Sequence, residues 1–66
     1  MKNVHLLKYN AYCTGDDGLN YRAVAIAGKW RLCVQNRRMP TDWDFVNNKE
    51  YDTVYDALQD VDIGGR

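Results

Sequence analysis

Sixty-six residues, 45% hydrophobic and 12% aromatic, suffice for one domain with a small core, near the lower limit for a chain that folds unaided. A formal net charge of zero conceals a split: residues 1–41 carry seven bases and two acids, a net of +5, and residues 42–66 carry seven acids and two bases, a net of −5. The longest apolar run, Ala23–Ala27, is five residues, which excludes a membrane-spanning helix, and no signal-peptide core stands at the start, so the cytoplasm is the expected location.

In chain order, residues 4–13 read as a first strand, closed by Thr14-Gly15-Asp16-Asp17-Gly18. Asp17-Gly18 has the chemistry of a two-residue hairpin turn, because both residues tolerate positive φ. Residues 20–27 and 30–36 form the next two strands. Val24, Ile26, Trp30, Leu32 and Val34 all occupy even positions, the period-two alternation of a half-buried strand. Keeping them on one face requires an odd-length loop centred on Gly28, expected to be three residues, so that Ile26 pairs with Trp30 and Val24 with Leu32.

With both turns so assigned, the inner layer is Leu7, Tyr9, Ala11, Val24, Ile26, Trp30, Leu32 and Val34. The outer face is Lys8, Asn10, Tyr12, Tyr21, Ala23, Ala25, Ala27, Arg31, Cys33 and Gln35. Cys13 and Cys33 fall on opposite faces, which predicts two free thiols.

Arg37-Arg38-Met39-Pro40-Thr41 reads as a loop, and residues 43–46 as a short fourth strand. A helix follows over residues 53–61. Thr53 is its N-cap, with Asp56 three residues on, and Val54, Ala57, Leu58 and Val61 form one apolar stripe. Gly64-Gly65 ends it. The expected fold is α+β: an antiparallel meander of three long strands and one short one, with the C-terminal helix across its inner face.

Catalytic chemistry finds little purchase. The chain contains no serine and one histidine, His5, so a Ser-His-Asp triad is excluded. Along an extended strand His5 and Cys13 stand about 26 Å apart, beyond proton-transfer reach. Two cysteines and one histidine at scattered positions supply no zinc set, so neither a metal nor a cofactor is expected.

Two surfaces stand out instead as partner-binding candidates. Asp52, Asp56 and Asp60 recur every fourth residue, an acidic ridge opposite the apolar stripe, with Tyr55 beside it. Asp60 and Asp62 also lie where the helix dipole disfavours anions, with no base in the last turn. The second surface is the outer sheet, with Tyr12, Tyr21 and Arg31, extended by the loop pair Arg37 and Arg38. The leading expectation is a small non-enzymatic protein-binding module that occludes a larger host protein or complex, in the manner of phage and mobile-element inhibitors. The alternatives are a nucleic-acid-binding module using the sheet face, and a homodimeric structural subunit.

Overall fold

The computed structural model describes residues 1–62. Its elements are β1 (Lys2–Leu6), β2 (Asn10–Thr14), β3 (Asn20–Ile26), β4 (Lys29–Gln35), β5 (Trp43–Phe45) and α1 (Val54–Asp62). The strands form one antiparallel sheet in the order β1-β2-β3-β4-β5, and α1 packs over β3 and β4. The expected α+β architecture, a meander with a C-terminal helix on one face, is the one observed. The expected helix stop at Gly64-Gly65 lies outside the described residues.

The first expected strand is in fact two. The chain reverses at Leu7-Lys8-Tyr9, where Leu7 N–H donates to Asn10 O at 2.8 Å. This folds β1 back on β2 as an edge strand exposed along its whole length, and it sets His5 opposite Tyr12, one residue from Cys13, in place of the expected separation of about 26 Å along a single strand. Its pairing is irregular between Lys2 and His5, where Asn3 adopts φ 55°.

The two hairpin turns exchange their expected lengths. Gly15 N–H donates to Leu19 O at 2.9 Å, which encloses a three-residue loop, Asp16-Asp17-Gly18, with Gly18 at φ 81°. The next hairpin closes on two residues, Ala27 (φ 52°) and Gly28 (φ 79°), and pairs Ile26 with Lys29. Positive φ at both positions is the type I′ signature, whose twist matches that of the flanking strands.

Each exchange shifts the pairing by one residue, and the two shifts cancel between β2 and β4. Of these strands only β3 is turned over; Leu7 and Tyr9, also expected in the inner layer, lie exposed in the turn between β1 and β2. Ala11, Trp30, Leu32 and Val34 face inward as expected. Val24 and Ile26 point outward, and Tyr21, Ala23 and Ala25 point inward. Tyr21 and Ala23 are fully buried, the reverse of the outer position expected for both. The composition of β3 explains the choice. Its even positions include Asn20 and Arg22, so turning that face to the core would desolvate a guanidinium, whereas its odd positions hold Tyr21 and two alanines.

The inner face follows from this register. Ala11, Ala23 and Leu32 make one cross-strand row, with Cys13, Tyr21 and Val34 beside it. Ala57, Leu58 and Val61 descend onto them from α1. Alanine in the central row lets the helix sit close to the sheet. Tyr21 fills the remaining volume and donates its hydroxyl to Asp17 Oδ2 at 2.7 Å, so its polar end is satisfied at the core boundary. α1 starts where the sequence places it: Thr53 Oγ1 accepts from Asp56 N–H at 3.1 Å.

Candidate binding face

Because α1 covers one side of the sheet, the other is left open. Cross-strand pairs share a face, so the pairing identifies what that side presents. One row runs Thr14, Asn20, Gln35, Trp43; the next runs His5, Tyr12, Arg22, Cys33, Phe45; a third runs Asn10, Val24, Arg31. No Asp or Glu stands in any of them.

The second row is a packed layer of cations and rings. The Arg22 guanidinium lies 5.6 Å from the Tyr12 ring centre, and Tyr12 meets Trp43 edge-on at 6.4 Å with planes at 70°. Arg22 Nε and Nη2 donate to Asn10 Oδ1 at 3.1 and 2.8 Å, which fixes the guanidinium plane. Arg31 stands 4.1 Å from the Phe45 ring centre and donates Nη2–H to Asn47 O at 3.2 Å. Its Nε is buried without a hydrogen-bond partner, a cost that the stacking on Phe45 helps to offset. Between the two arginines Cys33 is buried, and desolvation pushes its thiol up. Phe45 itself remains 54% exposed.

The first row is a chain of hydrogen bonds. Thr14 Oγ1 donates to Asn20 Oδ1 at 3.1 Å, Asn20 Nδ2 to Gln35 Oε1 at 2.9 Å, and Gln35 Nε2 to Pro40 O at 2.8 Å. Together with His5, Tyr12 and Trp43 this chain lines a shallow groove of about 310 Å³. Gln35 also borders a second groove of about 570 Å³, formed with Asp17, Leu19, Val34, Arg37 and Arg38 at the end of the sheet.

Tyr12 and Arg31 lie on the open face, and Arg37 and Arg38 are exposed in the adjoining loop. Tyr21 does not belong with them; it is core. The acidic ridge does not form as a unit. Asp52 precedes the N-cap and pairs with Lys29 at 2.5 Å, which holds its carboxyl below the usual range. Asp60 is only 15% exposed, accepts the Tyr51 hydroxyl and has Lys49 Nζ at 3.6 Å. Asp56 and Tyr55 remain exposed on α1.

Asp62 answers the question of why acids sit at the helix C-terminus. Its Oδ2 meets the α-ammonium of Met1 at 2.6 Å, and its Oδ1 accepts from Asp16 N–H at 3.1 Å. Asp16 holds the same ammonium at 2.9 Å. The late helical acids are therefore clasps that join α1 to β1 and to the β2–β3 loop. Asp60 does the same for the segment entering α1, since Tyr51 exchanges both backbone hydrogen bonds with Trp30 at 2.8 Å.

Arg22, Trp43, Phe45, Asn20 and Gln35 were not among the expected site residues. Arg22 and Asn20 had a readable signal: they share the parity of Val24, so either the polar or the apolar members of that face had to be exposed. Nothing local to Trp43 marks it as Tyr12's partner, because they meet only through four strands of pairing. Among the described residues no group of three or more His, Cys, Asp or Glu side chains could hold a metal ion, and no helix is long and apolar enough to cross a membrane. No protein-family model, curated protein or solved structure matches this chain.

Proposed function

We propose that this chain is a non-enzymatic binding module that docks an anionic macromolecular partner on the open face of its sheet. The observation that carries the reading is the one-sided distribution of charge. Three adjoining outward rows contain Arg22 and Arg31 among aromatic side chains and no carboxylate. Lys2, Lys8, Arg22, Arg31, Arg37 and Arg38 form no ion pair among the described residues, whereas Asp16, Asp52, Asp60 and Asp62 are all engaged within the molecule. Internal pairing thus removes acids more than bases from the outward balance, so a neutral chain can still present a cationic surface.

Of the two surfaces considered from the sequence, the sheet is favoured. The ridge loses Asp52 and Asp60 to internal partners. Arginine and aromatic side chains are favoured anchors of interfaces, and rings already held by guanidinium stacking lose little freedom on binding. A binding role also suits the two thiols, which are buried on opposite faces and pushed up by desolvation, a setting for packing rather than nucleophilic attack.

Retention on immobilised heparin at low salt tests the reading. The parent protein should be retained, and Arg37→Gln with Arg38→Gln should elute at lower salt with an unchanged circular dichroism spectrum. Flow-through of the parent at about 50 mM salt overturns it.

A further inference from the structure

We infer that the partner is single-stranded nucleic acid, with an unstacked base in the groove lined by Tyr12, Trp43 and His5 and the backbone running toward Arg37 and Arg38. This rests on the open-face reading above and gives it a ligand class. Three independent features of the face converge on that class.

The first is the set of stacking surfaces. Single strands are held on aromatic rings and guanidinium planes, which accept any base because every base has a π-face. The open face supplies both kinds side by side. Trp43 and Tyr12 meet edge-on, so their planes differ by 70°, and Arg22 is stacked over Tyr12 with its orientation fixed by Asn10. Phe45 and Arg31 repeat the arrangement in the neighbouring strands.

The second is the chain of amides along the groove floor. Asn20 and Gln35 each use one N–H of the side-chain amide within the chain Thr14–Asn20–Gln35–Pro40. Each NH₂ carries two hydrogens, so each retains a donor for a ligand, and the internal bonds fix which end of the amide is nitrogen. Uncharged donors of this kind suit the edge of a base or a sugar hydroxyl.

The third is continuity. Gln35 borders both grooves, and the second is lined by Arg37 and Arg38 together with Asp17, whose carboxylate is already engaged by the Tyr21 hydroxyl and Leu19 N–H. Both arginines are exposed and without an ion pair among the described residues. A strand whose base enters the first groove has its following phosphate in reach of cations that the fold does not otherwise engage. A duplex, whose bases are already stacked, offers no free base face to these rings.

The test uses fluorescein-labelled homopyrimidine strands of about ten nucleotides, one DNA and one RNA, and a DNA duplex of the same length, titrated by anisotropy at about 50 mM salt. One or both single strands should bind at least about tenfold more tightly than the duplex; a preference between DNA and RNA reports whether the amide chain reads the 2′-hydroxyl. Trp43→Ala should weaken binding by about fivefold or more, and Trp43→Phe should retain most of it. Arg37→Gln with Arg38→Gln should lessen the salt dependence. In a Trp30→Phe background the emission of Trp43 should be quenched on binding. Equal affinity for strand and duplex, or full affinity in a folded Trp43→Ala protein, overturns the inference. Heparin retention without strand binding would point to an acidic protein surface, so the nucleic-acid inference would fall while the open-face reading stood. Loss of heparin retention as well would remove both.

Discussion

Replacing Gly15 with alanine tests how the β2–β3 loop is seated under the helix. A Cβ built at Gly15 lies 2.8 Å from Tyr21 Cε2, 2.8 Å from Asp17 Oδ1 and 3.1 Å from Val61 Cγ1. None of the three yields easily. Tyr21 is fully buried and its hydroxyl is held by Asp17 at 2.7 Å; Val61 is 1% exposed on the inner side of α1. Asp17 Oδ1 also accepts from Leu19 N–H at 3.0 Å, so moving the carboxylate loosens the loop. Overpacking of this sort costs about 1–3 kcal/mol, and the absence of a flexible neighbour puts Gly15→Ala at about 2 kcal/mol or more. For a domain of this size each kcal/mol lowers the melting temperature by about 4–8 °C, so a fall of about 8–16 °C is expected. Thermal unfolding followed by far-ultraviolet circular dichroism, with urea titration for the free energy, measures it. Adding Val61→Ala should recover part of the loss, giving a coupling of about 0.5 kcal/mol or more between the two sites. A change under about 2 °C in Gly15→Ala would refute the packing described for this corner.

The orientation of β3 can be tested by a pair of substitutions. Ala23→Leu, beneath α1, should cost about 1–3 kcal/mol in urea unfolding, while Val24→Leu on the open face should cost well under 1 kcal/mol; equal effects would contradict the register. Ala27→Asn should stabilise the protein by about 0.5–1 kcal/mol, because Asn tolerates the left-handed conformation that alanine adopts here at φ 52°, and Asn-Gly is the preferred type I′ pair. Burial and the bond to Asp60 push the Tyr51 hydroxyl above its ordinary value, so the folded state holds that proton more tightly than the unfolded chain. Its contribution is complete below about pH 10 and is lost as pH rises through the folded value; above pH 10 the parent should lose more stability than Tyr51→Phe. At the acid end, Asp52 and Asp62 are held below their ordinary values by Lys29 and by the Met1 ammonium. Their contributions are present above about pH 4 and lost below it, so Asp52→Asn should flatten the acid limb of the stability profile.

The sequence carried the strands after Gly18, the helix, its cap and its buried stripe, since each is written in local periodicity and capping chemistry. The face shown by β3 was not fixed locally. Both of its faces contain apolar residues, and the choice rests on turn lengths that differ by a single residue. A two-residue turn at Asp17-Gly18 and a three-residue one at Gly28 differ from the true turns by two compensating shifts, so β2 and β4 keep their faces around an inverted neighbour. Arg22 was the available check, because the expected register set it opposite Val34 on the inner face. The break at Leu7-Lys8-Tyr9 lacked any glycine, proline or Asn-Gly pair to mark it. Of the site, Tyr12, Arg31, Arg37 and Arg38 were legible as outward aromatic or cationic positions. The clasps made by Asp60 and Asp62 were not, because their partners, Tyr51 and the Met1 ammonium, are brought to them by tertiary packing.

The kinked start of β1 has a bearing on how this protein behaves in crowded solution. An edge strand exposed over its full length, carrying Val4 at 44% and Leu6 at 48% exposure, is a template on which other chains can add strands and polymerise. Asn3 at φ 55° breaks the regular run of backbone donors and acceptors just where such growth would begin, and Lys2 places a positive charge beside it. Two neighbouring copies brought edge to edge would meet a bend and two like charges before they met a ladder. The irregularity of β1 thus opposes strand addition at this edge.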